Sequence, residues 1–328
     1  MEKRRLGYSN LYLSRIGFGA WAIGGGNWEF GWGPQDDRES IHTIHKAIDL
    51  GINWIDTAAA YGLGHSEEVV GKAIKSCRDR VIIATKCSLV WEGNSGGKIS
   101  HRLKAWSVRK EAEDSLRRLG VDVIDLYQIH WPNPDEDIEE GWAEIAKLIQ
   151  EGKIRYGGVS NFNVRQMERC KAIHPIASLQ PPYHMLDRHI ESEILPYCAQ
   201  NNIGVIAYSP MASGLLTGRM TRERIAALPE DDWRRRGYHF QEPMLSINLS
   251  LVEELSKVAK RFNRSVGELA VAWVLRRSEI TAAIVGARNP QQIAEIVPAA
   301  DWALQQEVTQ EIESLLAARE QAIKQASG

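Results

Sequence analysis

The chain has 328 residues, of which 44% are hydrophobic and 25% are charged, and its formal net charge at pH 7 is -2. This composition is typical of a soluble globular protein, and without an excess of positive charge a nucleic-acid partner is not expected. The length fits either two domains or a single α/β barrel, so the order of the predicted elements has to decide between them.

The cysteines and the N-terminus indicate a reducing compartment. Cys77, Cys87, Cys170 and Cys198 are scattered, with no Cys-x-x-Cys pair, which is typical of free thiols and not of a disulfide framework or a metal site. The opening "MEKRRLGYSN" lacks the apolar stretch of about 7 to 15 residues that marks a signal peptide, and nowhere do about 18 apolar residues run together. We therefore expect a cytoplasmic protein that makes no use of a membrane.

Apolar runs alternate with segments of helical period after a short hairpin near residues 7–10. The predicted strands cover residues 15–19, 52–56, 81–86, 123–130, 154–160, 177–180, 204–209 and 282–286. The predicted amphipathic helices cover residues 38–50, 66–76, 108–119, 139–150, 164–172, 191–201, 266–276 and 291–297, and further helices are expected after the seventh strand and at the C-terminus.

Eight β-then-α units predict an α/β fold with parallel strands, and they close most simply into a (β/α)8 TIM barrel. A doubly wound open sheet shows the same alternation and is the alternative. No linker or repeat divides the chain, so residues 1–328 are interpreted as one domain. The longest polar interruption, residues 217–242, is expected to be a loop beside the active face, mobile in solution.

The stretch "GFGAWA", residues 17–22, matches the dinucleotide fingerprint G-x-G-x-x-A, but its context does not. That motif must open a helix whose N-terminus meets a pyrophosphate. Here the glycine-rich and aromatic "IGGGNWEFGWGP" follows, so we predict a flexible loop after the first strand.

Polar residues that end the apolar runs are a more specific signal, because a TIM barrel builds its active site at the C-terminal ends of its strands. Taken singly, each has an ordinary explanation as a cap, a solvated strand end or a core histidine. Together they predict one functional mouth. They are Asp56, Lys86, His130, Ser160, Asn161, Gln180, Tyr208 and Ser209.

These residues suit the protonation of a carbonyl oxygen. Tyr61 follows the first of them by five residues, and we expect the Lys86 ammonium to lower its phenol pKa from about 10. Asp56 would hold Lys86 in place, and neutral His130 would donate a hydrogen bond to the substrate. No metal is expected, since the "HTIH" pair His42 and His45 lacks a third ligand.

Reduction of a carbonyl also needs a source of electrons, and without a metal a reduced nicotinamide is the simplest. Tyr208 could stack on that ring, while Ser160, Asn161 and Gln180 offer the donors and acceptors that a carboxamide needs. Four tryptophans near the strand ends predict an aromatic, apolar substrate pocket. They are Trp21, Trp28, Trp91 and Trp131. Each could equally be ordinary core packing.

Four motifs in order, spread over essentially the whole chain, resemble the aldo-keto reductase family. They are "GINWIDTAAAYGLGHSEEVVGKAI", "DLYQIHWP", "GKIRYGGVSNF" and "IAYSPMASGLLTGR". The variants "HWP", "GLLTGR" and "IVGARNPQQ" look more like the bacterial branch, with its NADP-dependent aldehyde and glycerol oxidoreductases, than like the human aldose reductase branch.

By position, the resemblance implies a catalytic tetrad and a cofactor site. The implied tetrad is Asp56, Tyr61, Lys86 and His130, with Tyr61 as general acid. The implied cofactor residues are Ala20, Trp21, Asp56, Ser160, Asn161, Gln180, Tyr208, Ser209, Pro210, Met211, Ser213, Gly214, Leu215, Arg219, Gly286, Ala287, Arg288 and Gln292.

The adenosine end departs from the better-known pattern. Gly286, Ala287 and Ile296 stand where many members have Lys-Ser and an adenine-binding Asn. Arg288 can still pair with a phosphate, with Arg219 or the run at 234–236 beside it, so we expect NADP, with NAD as the alternative. The run at 234–236 could equally be a solvated surface segment.

Two functions fit these observations. The first is NADPH-dependent reduction of aldehydes or ketones to alcohols. The second is a cofactor-binding redox sensor with little turnover, because the resembled family includes potassium-channel β-subunits. The physiological substrate and the oligomeric state are left open.

Overall fold

Eight parallel strands close into a barrel in a computed structural model that describes residues 1–26, 28–92, 98–230 and 232–326. In order around the barrel they are β3 (Ile16–Gly19), β4 (Trp54–Asp56), β5 (Ile82–Cys87), β8 (Ile124–Ile129), β9 (Ile154–Ser160), β10 (Ser178–Gln180), β11 (Gly204–Ala207) and β12 (Ile280–Gly286). The remaining strands form two antiparallel pairs, β1 (Lys3–Arg5) with β2 (Tyr12–Ser14) and β6 (Leu89–Val90) with β7 (Ser100–His101). The predicted (β/α)8 TIM barrel and N-terminal hairpin are confirmed.

Helices cover the outside of the barrel. They are α1 (Asp37–Asp49), α2 (His65–Ile74), α3 (Ala105–Leu119), α4 (Ile138–Gln150), α5 (Val164–Lys171), α6 (Ile194–Gln200), α7 (Arg222–Ala226), α8 (Met244–Lys260), α9 (Val266–Leu275), α10 (Pro290–Ile296) and α11 (Gln306–Ala326). Of these, α7 and α8 are the extra helices expected after the seventh strand, and α11 is the C-terminal one. Within the described part of the chain, no helix is both long and apolar enough to cross a membrane.

The N-terminal hairpin lies against the lower end of the barrel. Leu6, Leu11 and Leu13 of this hairpin pack into one buried cluster with inward side chains of the barrel strands, among them Trp54 and Leu126. Because alternate residues of a strand share a face, the next inward positions on the same strands lie one layer higher, towards the C-terminal ends. The leucines close the lower end of the barrel, so a polar layer of inward side chains can be open to solvent only at the upper, C-terminal end.

Several predicted elements differ from the structure in extent or character. The seventh strand ends at Ala207, and Tyr208 instead forms an isolated bridge with Pro182. Helix α9 was expected to be amphipathic, but every residue of it is buried, because it lies between the barrel and neighbouring helices such as α8 and α10.

The two predicted loops contain local helical structure. After β3 the chain forms a 3-10 turn at Trp21–Gly24, and the 217–242 segment contains α7 and two further 3-10 turns. Asn27 and Asp231, which belong to these two loops, lie outside the described residues. The mobility of 217–242 and the one-domain organisation stay predictions.

Gly17 gives a stability test of the lower barrel layer. A Cβ at this position would lie 2.0 Å from Cε2 of Trp54, a fully buried ring whose Nε1 donates to the Ser14 carbonyl. Overpacking of this kind costs about 1–3 kcal/mol, so Gly17→Ala should lower the urea midpoint of unfolding. The control is Gly286→Ala, also in a barrel strand, whose Cβ would meet only the Gly19 carbonyl at 3.6 Å. Equal midpoints for the two variants would contradict this packing.

Candidate active site

Polar side chains converge at the upper end of the barrel because of strand alternation. Trp54 on β4 is followed two residues later by Asp56, and Leu126 on β8 is followed by Gln128. Asp56 pairs in register with Ala84 of the neighbouring strand β5, which places Lys86 one inward position higher. The carboxylate and the ammonium therefore meet directly above the apolar layer.

Lys86 donates to three acceptors with its ammonium group. Its Nζ lies 2.6 Å from Oδ2 of Asp56, 2.9 Å from the carbonyl oxygen of Thr57 and 3.3 Å from Oη of Tyr61. Lys86 is 1% exposed and Asp56 is 2% exposed. An ammonium group has three N–H donors, so all three have partners and the buried charge faces an opposite charge.

A compact turn brings Tyr61 back over the pair. The amide of Thr57 donates to the carbonyl of Ala84, and the amide of Tyr61 donates to the carbonyl of Ala58 at 3.1 Å. The three alanines at 58–60 are all buried, so small side chains let the chain reverse tightly here. The predicted approach of the phenol to Lys86 is present in the structure.

The expected direction of the Tyr61 pKa was wrong. Burial raises the pKa of this phenol well above its ordinary value of 10.0, and the negative charge of Asp56 adds to the rise. Lys86 does not reverse this, because its ammonium is held closer to Asp56 than to Tyr61. Burial also lowers the pKa of Lys86, while Asp56 opposes that fall. The phenol is consequently a neutral O–H donor.

His130 lies beside the phenol as a neutral imidazole. The ring centroids of Tyr61 and His130 are 5.9 Å apart, in an edge-to-face arrangement. Burial, followed by the positive charge of Lys86, lowers the pKa of His130 well below 6.5. Its backbone amide donates to the carbonyl of Cys87, and its own carbonyl accepts from Asn161 Nδ2, so the neighbouring strand ends hold it on both sides.

Two glutamines complete the surroundings of Asp56. Gln180 Nε2 donates to Oδ1 of Asp56 at 2.8 Å, and Gln128 Nε2 approaches the same oxygen at 3.4 Å. Gln180 also lies 3.3 Å from Oε1 of Gln128. Gln128 is fully buried and was missed from the sequence, although it faces the same way as His130, two residues later on the chain.

The other predicted amide-type residues form a second, connected group. Ser160 Oγ donates to the carbonyl of Gln180, and Asn161 Nδ2 lies 3.1 Å from Ser160 Oγ. The phenol of Tyr208 donates to Asn161 Oδ1 at 3.0 Å. The structure therefore brings Ser160, Asn161, Gln180 and Tyr208 to one side of the predicted tetrad.

An aromatic wall covers the other side of Tyr61. The Trp21 ring lies 5.1 Å from the Tyr61 ring and 5.5 Å from that of Trp28. Phe30 contacts both tryptophans, and it was missed from the sequence, as was Ile99, which packs against the same cluster. Trp91 and Trp131 are not part of this cluster as the structure describes it, and Trp131 is 41% exposed.

The loop after β11 carries the next group of predicted cofactor residues. Ser209, Ser213 and Gly214 have positive φ, as does Ala212 between them, and such turns form concave rows of backbone amides that bind anions. Pro210, Met211 and Leu215 belong to the same loop. Ala20 lies at the end of β3, where its amide donates to the carbonyl of Asp56 at 2.8 Å.

The predicted phosphate-binding arginines differ in their partners. Arg288 contacts Gln35 and two backbone carbonyls, and its own amide donates to Gln292 Oε1 at 2.8 Å. Arg219 pairs with Glu295, and Arg234 pairs with Asp232 while lying over the Trp32 ring. Arg219 and Arg234 are therefore ion-paired in this structure, and a role of the 234–236 run in phosphate binding stays a prediction.

The remaining adenosine-end residues lie beside Arg288. Gly286 is exposed at the rim of β12, while Ala287 is buried. Ile296 is also buried, so its position presents no polar atom to a base.

Residues 15–317 match the model of the Aldo/keto reductase family. The chain belongs to this family. It is 43% identical to aldo-keto reductase YhdN of Bacillus subtilis, with 96% of this chain and 94% of that protein aligned. It is 37% identical to the NADH-specific methylglyoxal reductase of Escherichia coli, over 95% of this chain and the whole of that protein.

Two solved structures of this family share its fold. Glycerol dehydrogenase AKR11B4 of Gluconobacter oxydans superposes with a TM-score of 0.88 at 41% identity, covering 97% of this chain and 96% of that one. Aldo-keto reductase AKR11C1 of Bacillus halodurans, in its holo form, gives 0.80 at 31% identity, covering 96% of each chain. The resemblance to the bacterial branch of the aldo/keto reductases is confirmed, and the chain is an oxidoreductase.

The neutral state of His130 in this aldo/keto reductase predicts a pH dependence of stability. In the unfolded chain the imidazole takes up a proton below about pH 6.5, whereas in the folded protein its pKa lies well below 6.5. Folding stability should therefore fall as the pH drops below 6.5, by about 1 kcal/mol between pH 7 and pH 5.5 from this group. His130→Gln should lose correspondingly less stability over this range in urea unfolding.

His184 is the positive control, because burial lowers its pKa to about 4. His184→Gln should flatten the same dependence. An unchanged pH dependence in His130→Gln would mean that His130 is not held neutral.

Proposed function

We propose that this protein reduces aldehydes and ketones to alcohols with NADPH, using Tyr61 as the proton donor. The observation that carries the proposal is the buried contact of the Lys86 ammonium with both Asp56 and the Tyr61 phenol. A reduced nicotinamide, when bound, supplies the hydride that the carbonyl carbon accepts. The chain's own residues have to bind and orient the carbonyl and deliver a proton to its oxygen.

Tyr61 is suited to donation because its phenol stays protonated in the buried site. As negative charge develops on the carbonyl oxygen, the proton moves from Oη of Tyr61 to that oxygen. The phenolate that remains lies within 3.3 Å of the Lys86 ammonium, which stabilises it electrostatically. Neutral His130 orients the same oxygen by donating one hydrogen bond.

Asp56 has a supporting role in this scheme. Its carboxylate holds Lys86 at 2.6 Å and opposes the fall of the ammonium pKa that burial causes. Gln180 and Gln128 approach its second oxygen and hold the carboxylate in place. Asp56 therefore acts through Lys86, while Tyr61 and His130 meet the substrate.

The donor chemistry beside the tetrad fits a nicotinamide dinucleotide. Asn161 and Gln180 can satisfy a carboxamide, Tyr208 presents a ring, and the left-handed turn at 212–214 is suited to a pyrophosphate. Arg288 lies farther along the rim. Among the described residues its guanidinium bonds only to uncharged partners, so its positive charge is available for a phosphate. This favours NADP, although one relative is an NADH-specific enzyme.

The substrate is expected to be an apolar carbonyl compound. The wall beside Tyr61 consists of the rings of Trp21, Trp28 and Phe30. The indole N–H of Trp21 donates to the carbonyl of Phe30 and that of Trp28 to the carbonyl of Gly25. The tryptophans thus present ring surface and not polar atoms, which suits an aryl or alkyl aldehyde better than a sugar phosphate.

The proposal is tested by following NADPH and NADH oxidation at about 340 nm with a panel of aldehydes, ketones and dicarbonyls. The wild type should turn over apolar aldehydes and prefer NADPH. Tyr61→Phe keeps the ring and removes the O–H, so it should lose about 100-fold or more in kcat while keeping NADPH affinity within about twofold.

Full aldehyde reduction by Tyr61→Phe would remove Tyr61 from the role of acid. Tight NADPH binding by the wild type, with negligible turnover across the whole panel, would favour the redox sensor instead. Tyr12→Phe is the matched control, because this tyrosine is exposed on β2 at the opposite end of the barrel and the same replacement there should leave kcat unchanged.

A further inference from the structure

Gln35 fastens Arg288 to the loop between β3 and α1 with two hydrogen bonds of opposite direction. Gln35 Oε1 accepts from Nε of Arg288 at 2.8 Å, and Gln35 Nε2 donates to the backbone carbonyl of Arg288 at 2.9 Å. The guanidinium and the backbone carbonyl of Arg288 are thus both held by the side-chain amide of Gln35. The two residues are 253 positions apart in the chain, so this bridge is made only by the fold.

Three of the five guanidinium N–H bonds of Arg288 point to this loop. Besides the bond from Nε, Nη1 donates to the carbonyl of Trp32 at 3.4 Å and Nη2 donates to that of Pro34. Since an arginine carries five N–H donors, two have no partner in the part of the chain that the structure describes, one on each terminal nitrogen. A pair of that kind is the fork that binds two oxygens of a phosphate.

Within residues 1–26, 28–92, 98–230 and 232–326, the partners of this guanidinium are all uncharged, which distinguishes Arg288 from other arginines nearby. Arg219 pairs with the carboxylate of Glu295, and Arg234 with that of Asp232. An amide at position 35 orients Arg288 without neutralising it, whereas a carboxylate of the same shape would form an ion pair. The side chain of Gln35 is therefore matched to an arginine that has to meet an anionic ligand.

We infer that Gln35 determines cofactor specificity as a positioning residue, holding Arg288 oriented and uncompensated for the 2′-phosphate of NADP. The inference rests on the proposed function, in which Arg288 binds that phosphate. Gln35 also connects the proposed phosphate site with the proposed substrate site, because its loop carries Trp28 and Phe30 of the aromatic wall. Phosphate recognition and the substrate wall thus share one loop.

The test measures ligand affinity and does not require turnover. Calorimetry with adenosine 2′,5′-bisphosphate and with AMP, which differ only in the 2′-phosphate, and with NADPH and NADH isolates that group. Gln35→Glu should weaken the binding of adenosine 2′,5′-bisphosphate and NADPH by about tenfold or more, and that of AMP and NADH by less than about threefold. Gln35→Met, which removes the hydrogen bonds but adds no charge, should show the same selectivity with a smaller loss.

Gln310→Glu on the exposed face of α11 is the control for net charge and should bind all four ligands as the wild type does. Equal losses of affinity for AMP and adenosine 2′,5′-bisphosphate in Gln35→Glu would show a merely structural role and overturn the inference. Wild-type affinity of this variant for both ligands would also overturn it. A wild type that does not prefer adenosine 2′,5′-bisphosphate to AMP would instead overturn the NADP part of the proposed function, and the inference with it.

Discussion

The buried ion pair of Lys86 and Asp56 is the constraint on which the rest of the site depends. A lone ammonium in this interior would cost several kcal/mol, so the pair requires a carboxylate on β4 directly beside a lysine on β5. The Thr57 carbonyl accepts a second N–H of Lys86, which leaves one N–H for a further acceptor. The turn at 57–60 brings the phenol oxygen of Tyr61 to that position. The contact between Lys86 and the Tyr61 phenol therefore follows from the way in which one buried charge is satisfied.

The polar layer could be predicted from the sequence because strand alternation controls it. Polar residues that end apolar runs on successive parallel strands must meet at one end of a barrel, and Asp56, Lys86 and His130 do so. The same rule could have predicted Gln128, since it shares a face with His130. It could not predict the direction of the Tyr61 pKa shift, because that direction depends on the degree of burial and on which neighbour Lys86 approaches more closely.

Contacts between loops account for most of what the sequence could not predict. Gln35 meets Arg288 across 253 positions, and Phe30 joins the tryptophans through a loop whose path no periodicity describes. The strands β6 and β7 have only two residues each, too few to show an alternating pattern. Chain regularity therefore predicts the barrel and the tetrad, while the adenosine end and the substrate wall require the folded loops.

The separation of proton and hydride sources is the central claim, and isotope tracing tests it most directly. Reduction of an aldehyde with NADPH deuterated at both C4 positions should place one deuterium on the carbinol carbon of the alcohol. Reduction with ordinary NADPH in D2O should place none there, because the proton from Tyr61 goes to oxygen and exchanges with solvent. Deuterium from D2O on that carbon, or none from the labelled cofactor, would contradict hydride transfer at this site.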